Sequence, residues 1–185
     1  MKKLLFALVL SLGLGTVNTA DAQVMSKGTI LVSPNFNLGY YGGFDDDLYD
    51  GYGGFTPGGT VNVDIGVHDY VSVGPYVGFA GRNGFRNIAF GARGNFHFGQ
   101  LIGDKKGVDL LTDKLDLYYY LGLGGRIATY KDLDKDFYSP FSFGFSSAVG
   151  ARYYVADWIG VQAEFGITEM SFAKIGVTFK FGGDK

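Results

Sequence analysis

The chain is 185 residues long, carries a formal net charge of −2 and contains no cysteine. Disulfides, thiolate metal centres and a cysteine-linked lipid anchor are thereby excluded, and so slight an acidic balance offers no footprint for nucleic-acid phosphates. Charged residues make up 18% of the chain and aromatics 17%, whereas soluble domains average about 25% charged, so the reading moves away from a charge-coated soluble surface.

The chain opens "MKKLLFALVLSLGLGTVNTADAQ". Lys2 and Lys3 precede an apolar run from Leu4 to Leu14, and Ala20-Asp21-Ala22 has the small-x-small form of a cleavage site. This predicts a secretory signal peptide over residues 1–22, leaving 23–185 as one exported domain. The apolar run is too short for a spanning helix, which needs roughly 20 residues.

Eight segments then alternate apolar and polar residues with the period of a β-strand. The first covers Thr29 to Tyr40, with Ile30, Val32, Phe36 and Leu38 on one side and Ser33, Asn35 and Asn37 on the other. Leu31 breaks the alternation, and Pro34 has no N–H for a ladder. The second, Thr60 to Val67, sets Val61, Val63 and Ile65 against Asn62 and Asp64, and the third runs from Val71 to Ala80. The fourth, Asn87 to Phe98, opposes Ile88, Phe90 and Phe96 to Arg93, Asn95 and His97. The fifth, Asp116 to Thr129, opposes Leu117, Tyr119 and Leu121 to Tyr118, Tyr120 and Arg126. The sixth, Phe141 to Val155, and the seventh, Trp158 to Ile167, place Arg152 and Glu164 on their polar sides. The eighth, Ala173 to Phe181, opposes Ile175, Val177, Phe179 and Phe181 to Lys174, Thr178 and Lys180.

The connections "HDY", "ADW" and "TEM" are three residues each, and an odd loop keeps the side-chain parity across a hairpin. A symmetric "TEM" turn would set Glu164 directly opposite Lys174. "YGGFDDDLYDGYGGFTPGG" and "KDLDKDFYSP" are long and acidic, and "GQLIGDKKGVDLLTDKL" is long enough for a short helical turn.

Which face is wet decides the class. A soluble barrel would crowd its polar face with lysine and glutamate. Here that face is glycine, serine, asparagine and tyrosine, with few charges of both signs: Asp64, Arg93, Arg126, Arg152, Glu164 and Lys174. Small residues suit the cramped interior of an eight-stranded barrel, and buried charges of opposite sign can pair there. Tyr40, Phe79, Phe98, Tyr153, Trp158 and Phe179 fall toward strand ends, as in the aromatic girdles of membrane barrels. The expected fold is therefore all-β: an eight-stranded antiparallel up-and-down transmembrane barrel, apolar outside and polar inside. A soluble exported barrel is the competing arrangement.

In its signal peptide, eight alternating segments and aromatic-ended last strand, the chain resembles the small eight-stranded outer-membrane β-barrels of Gram-negative bacteria, the OmpA/OmpX-like group. The resemblance implies an outer-membrane protein with both termini in the periplasm, whose last strand, with Phe179 and Phe181, is the signal read by the barrel-assembly machinery. Phe181 is followed here by "GGDK" rather than ending the chain. It further implies periplasmic chaperones during biogenesis, contact with outer-membrane lipids and lipopolysaccharide, and a monomer without cofactor or nucleic-acid partner. The long segment after the fourth strand departs from the brief periplasmic turn that the group has at that place.

Little catalytic material stands out. Relatives that process lipopolysaccharide acyl chains place a Ser/His pair near the outer leaflet. His68 and His97 instead fall on the inward lists at the periplasmic strand ends, and Ser142, Ser146 and Ser147 have no basic partner nearby. Asp45 to Asp47 and Asp132, Asp134 and Asp136 invite a calcium reading, but Phe137 and Phe143 stand where an EF-hand needs glycine and glutamate. The glycine-rich "GLGGR" lacks the strand–turn–helix context of a phosphate loop. A structural or surface-interaction role without catalysis is expected (envelope integrity, adhesion or ligand contact through outer loops). The alternative is a narrow or lateral channel for small or hydrophobic molecules.

Overall fold

The computed structural model describes residues 24–38, 57–82, 85–108, 113–130 and 141–182. The signal-peptide reading of 1–22, Tyr40 and both acidic stretches, Asp45 to Asp47 and Asp132 to Asp136, lie outside the described residues.

Eight strands form the wall: β1 (Ile30–Leu38), β2 (Gly58–His68), β3 (Val71–Arg82), β4 (Phe85–Phe96), β5 (Leu115–Tyr130), β6 (Phe141–Ala156), β7 (Ile159–Ile167) and β8 (Ala173–Phe181). Each pairs antiparallel with the next, and β1 pairs with β8 to close the barrel. Closure leaves no strand edge with unpaired N–H and C=O groups, which hydrocarbon would not tolerate. β5 and β6 are 16 residues each, longer than the roughly 9–11 residues that span a bilayer as a tilted strand.

The alternation resolves as expected. Asp64 and Arg152 are 0% exposed, whereas Leu123 is 73% and Phe165 70% exposed. Asp64, Arg93, Arg152, Glu164 and Lys174 converge on the axis and most greasy residues point away from it, while Arg86, near the loop end of β4, is exposed. Leu31, the exception in the first strand, is also inside and fully buried.

The wall carries two local irregularities with a clear cause. Pairing of β1 with β8 runs to Val32↔Phe179 and resumes in the same register at Asn35↔Gly176. Pro34 cannot donate there, and the side chains of Ser33 and Thr178 bridge the interval instead, Oγ to Oγ1 at 2.7 Å. The β2–β3 ladder likewise passes from Asn62↔Tyr76 to Ile65↔Val73, opposite Gly74 and Pro75.

One end of the barrel holds the tight turns and both chain ends of the wall. The "TEM" connection, at the other end, keeps its symmetric register, and Glu164 pairs with Lys174. The other two short connections differ from three-residue hairpins. Between β2 and β3 the register shifts after Gly66↔Ser72 to His68↔Val71, and between β6 and β7 it shifts after Tyr154↔Gly160 to Ala156↔Ile159. In each, a two-residue turn is joined to a bulge that absorbs the extra residue, so parity survives. The β2 bulge also corrects the placement of His68: it lies exposed at the rim and not on the inward list.

The segment after β4 is more than a turn. Strand pairing stops at Phe96, and a helix α1 (Phe98–Lys106) follows, ending on Gly107 in the left-handed region at φ 66°. Its cap N–H bonds Gly103 O at 2.7 Å. His97 is thus the residue before the helix, and its N–H bonds Tyr70 O at 2.9 Å. Gln100 reaches from α1 to the N-terminal segment: Met25 N–H donates to Gln100 Oε1 at 2.9 Å, and Gln100 Nε2 donates to Met25 O at 2.8 Å. Val24 and Met25 are buried by this arrangement. Tyr70 OH donates to Asp104 Oδ2 at 2.8 Å, which pushes the phenol upward in pKa and ties α1 to the β2–β3 turn.

Candidate functional site

The polar interior is the chemically richest part of the described residues. It is built by inward positions on β2, β4, β5, β6, β7 and β8, whose parity the apolar outer wall fixes. Arg93 forks onto Asp64, with Nε to Oδ1 and Nη2 to Oδ2 both at 2.9 Å. Its Nη1 reaches Glu164 Oε1 at 3.0 Å. Lys174 Nζ lies 2.9 Å from Glu164 Oε2 and 2.6 Å from Glu169 Oε2. Arg152 joins Asp64 to Asp116, with Nη2 bonded to Asp64 Oδ2 and Nη1 3.1 Å from Asp116 Oδ2, while its Nε donates to Gln162 Oε1 at 2.8 Å.

Aromatic rings pack the space between these ions. The Arg152 guanidinium lies 4.1 Å from the Tyr118 ring centroid and that of Arg93 4.6 Å from Tyr120. Tyr118 OH donates to Glu164 Oε1 at 2.7 Å. Desolvating so many ions is expensive, and it is tolerable because each is paired and hydrogen-bonded more than once.

Of the six charges singled out from the sequence, Asp64, Arg93, Arg152, Glu164 and Lys174 lie together in this network. Arg126 stands at its edge, half-buried, with Nη2 donating to the carbonyl of Glu169 at 3.0 Å. Phe179 and Phe181 lie on the last strand; Phe181 pairs with Ile30 and Phe179 stacks on Trp158 at 6.3 Å between centroids. Asp116 and Glu169 were missed as network members. Asp116 is the first inward residue of β5; Arg152 reaches it from β6, and His97 from the cap of α1 just past β4. Glu169 belongs to a turn, where parity says nothing about direction.

The network continues to His97. Its Nδ1 lies 2.8 Å from Asp116 Oδ1 and its Nε2 2.9 Å from Ser72 Oγ. This Ser–His–Asp connectivity has the order of a hydrolytic triad. Its surroundings do not serve one. All three residues are 0% exposed, Asn95 Nδ2 also donates to Ser72 Oγ at 2.8 Å, and α1 begins directly at His97. A substrate carbonyl has no approach to the hydroxyl, so the arrangement is a polar joint between β3, β4 and β5. Among the described residues no cluster of three or more histidine, aspartate and glutamate side chains is arranged to hold a metal, and no helix is long and apolar enough to cross a membrane.

A closed eight-stranded up-and-down barrel with an apolar wall and an ion-paired core defines the class: this is the fold of the small outer-membrane β-barrels. Solved structures that share it include the following three. The N-terminal β-barrel domain of Pseudomonas aeruginosa OprF aligns at TM-score 0.55 and 14% identity, over 85% of this chain and all of that one. Neisserial surface protein A aligns at 0.53 and 13%, over 84% and 98% of the two chains. The outer membrane protein OprG of Pseudomonas aeruginosa aligns at 0.50 and 10%, over 86% and 98%. No family model matches the chain, and no curated protein matches its sequence.

Proposed function

We propose that the mature chain, from residue 23, spans the outer membrane as a monomeric, non-catalytic barrel whose work is structural or is done at the cell surface by its long outer connections. The carrying observation is the inversion of polarity: Leu123 and Phe165 face outward, while Asp64, Arg93, Arg152, Glu164 and Lys174 are sealed within. In water such a wall would aggregate; in lipid it is solvated. The turn end, with the N-terminal segment and α1, then faces the periplasm, and the connections after β1, β3, β5 and β7 face the medium. Lipopolysaccharide and phospholipid are the immediate partners, and the barrel-assembly machinery reads the last strand.

An ion-paired interior opposes a pore, because a conducting path needs water where Arg93 and Arg152 hold their carboxylates. The test is fractionation with electrophoretic mobility before and after boiling, followed by planar-bilayer recording. The expected result is an outer-membrane band that shifts on heating, without reproducible conductance. A soluble periplasmic protein would overturn the membrane assignment, and steady single-channel currents would replace the structural role with transport. Unchanged lipid A mass spectra on overproduction are expected for a protein without acyl-transfer activity.

A further inference from the structure

A depression runs across the outer wall from β3 to β6. On β4, Ala92 and Gly94 face outward between the larger Phe90 and Phe96. Pro75 of β3 pairs with Ala92, so two short side chains lie abreast. Leu121 and Leu123 of β5, with Phe145 of β6, stand up on one flank and Val73 on the other. The cleft between them has a volume of about 720 Å³ and is lined almost entirely by carbon.

Its two ends differ. Toward the loop end Gly125 is covered by the Phe141 and Phe90 rings. Phe90, Phe141 and Phe143 form a cluster there, with centroid separations of 6.5 Å and 4.9 Å. Toward the turn end the next outward residues on β5 and β6 are Tyr119 and Ser147, whose hydroxyls are hydrogen-bonded at 2.8 Å. This hydroxyl pair marks that end of the cleft.

The geometry points to this cleft as a binding site for one acyl chain of a phospholipid, whose ester region meets the Tyr119–Ser147 hydroxyls. This rests on the outer-membrane reading above. The trough is about one strand wide between β3 and β5, roughly 10 Å from strand spacing, which an alkyl chain enters and the convex wall of a second barrel does not. The Tyr119–Ser147 hydroxyls, with Phe96 beside Tyr119, lie at the periplasmic end, on the phospholipid leaflet, while the three-ring aromatic cluster closes the lipopolysaccharide side. A bulky outer residue at either Ala92 or Gly94 would fill it. A Cβ on Gly94 meets Val73 Cγ1 at 3.8 Å, an ordinary contact, so the wall accepts the change.

The test is native mass spectrometry of the full exported protein, extracted from outer membranes in a non-ionic detergent, with phosphatidylethanolamine and lipid A added back in separate arms. The wild type should retain one phosphatidylethanolamine. Ala92→Leu/Gly94→Leu should lower the bound fraction about tenfold, and Ala92→Leu alone should lower it by less. Val161→Leu, on β7, should leave it unchanged. Heat-dependent mobility confirms that each variant is folded; if the double variant fails that check, Ala92→Leu alone decides. A folded wild type without bound phospholipid overturns the proposal while leaving the outer-membrane reading standing. So does retention that is indifferent to both groove variants, or a preference for lipid A. A wild type absent from the outer membrane removes the membrane reading and this site with it.

Discussion

Replacing Arg93 with methionine removes the guanidinium while keeping most of its length. Four hydrogen bonds disappear, two to Asp64 and two to Glu164. Neither carboxylate is left alone, however. Asp64 keeps Arg152, and Glu164 keeps Lys174 and the Tyr118 hydroxyl. Removing one member of a buried pair usually costs about 3–5 kcal/mol, and the remaining partners place Arg93→Met at the lower end, about 3 kcal/mol. Asp64→Asn strips a carboxylate from two guanidinium groups at once and should cost more, about 4–5 kcal/mol. The double variant should fall short of the sum by about 1–3 kcal/mol, since each change relieves part of what the other leaves unpaired. The assay is reversible urea unfolding in detergent or lipid vesicles, followed by Trp158 fluorescence and by mobility on unheated gels. If Arg93→Met costs under about 1 kcal/mol, or if the two changes simply add, the interior is hydrated and screened, and the sealed-core argument fails.

Three further outcomes follow from the wall and its ends. Gly150→Val should destabilise by about 1–3 kcal/mol, because a Cβ at Gly150 overlaps the Tyr118 ring, whereas Gly144→Ala, with open space around it, should be neutral in the same urea titration. Leu123→Arg, on the outward wall near mid-strand, should cost about 2–4 kcal/mol in vesicles, while Phe143→Arg, 86% exposed and nearer the loop end, should cost about 1 kcal/mol or less. Gln100→Leu should lose about 1–3 kcal/mol from the two unmatched backbone groups of Met25, read as faster amide exchange there with little change at Val149.

Much of the wall was legible because a barrel strand writes its two faces in alternate residues, and the error-tolerant quantity is parity. Glu164 and Lys174 were placed opposite each other from loop length alone, since their hairpin connects neighbours in sequence. His68 was misplaced by the same rule, because a bulge inserts a residue without any marker in its side chains. Contacts across the axis were out of reach. Asp64 on β2 meets Arg152 on β6 through the barrel centre, and no pattern local to either strand states that tilt and stagger bring them together. The helix α1 was foreseen only as a possible turn. In "FGQLIGDKK" two glycines and charges blur the apolar stripe, and its docking rests on one glutamine amide and one tyrosine.

The Asp64 carboxylate is shared by arginines from strands far apart in the chain. A sheet still missing its last members could offer neither the shelter nor the full set of counterions, so its acids and bases would stay wetted by water. Dehydration is therefore deferred until the final seam zips shut, and closure has the character of a single concerted event in which an incomplete cylinder gains almost nothing from the ions it already carries.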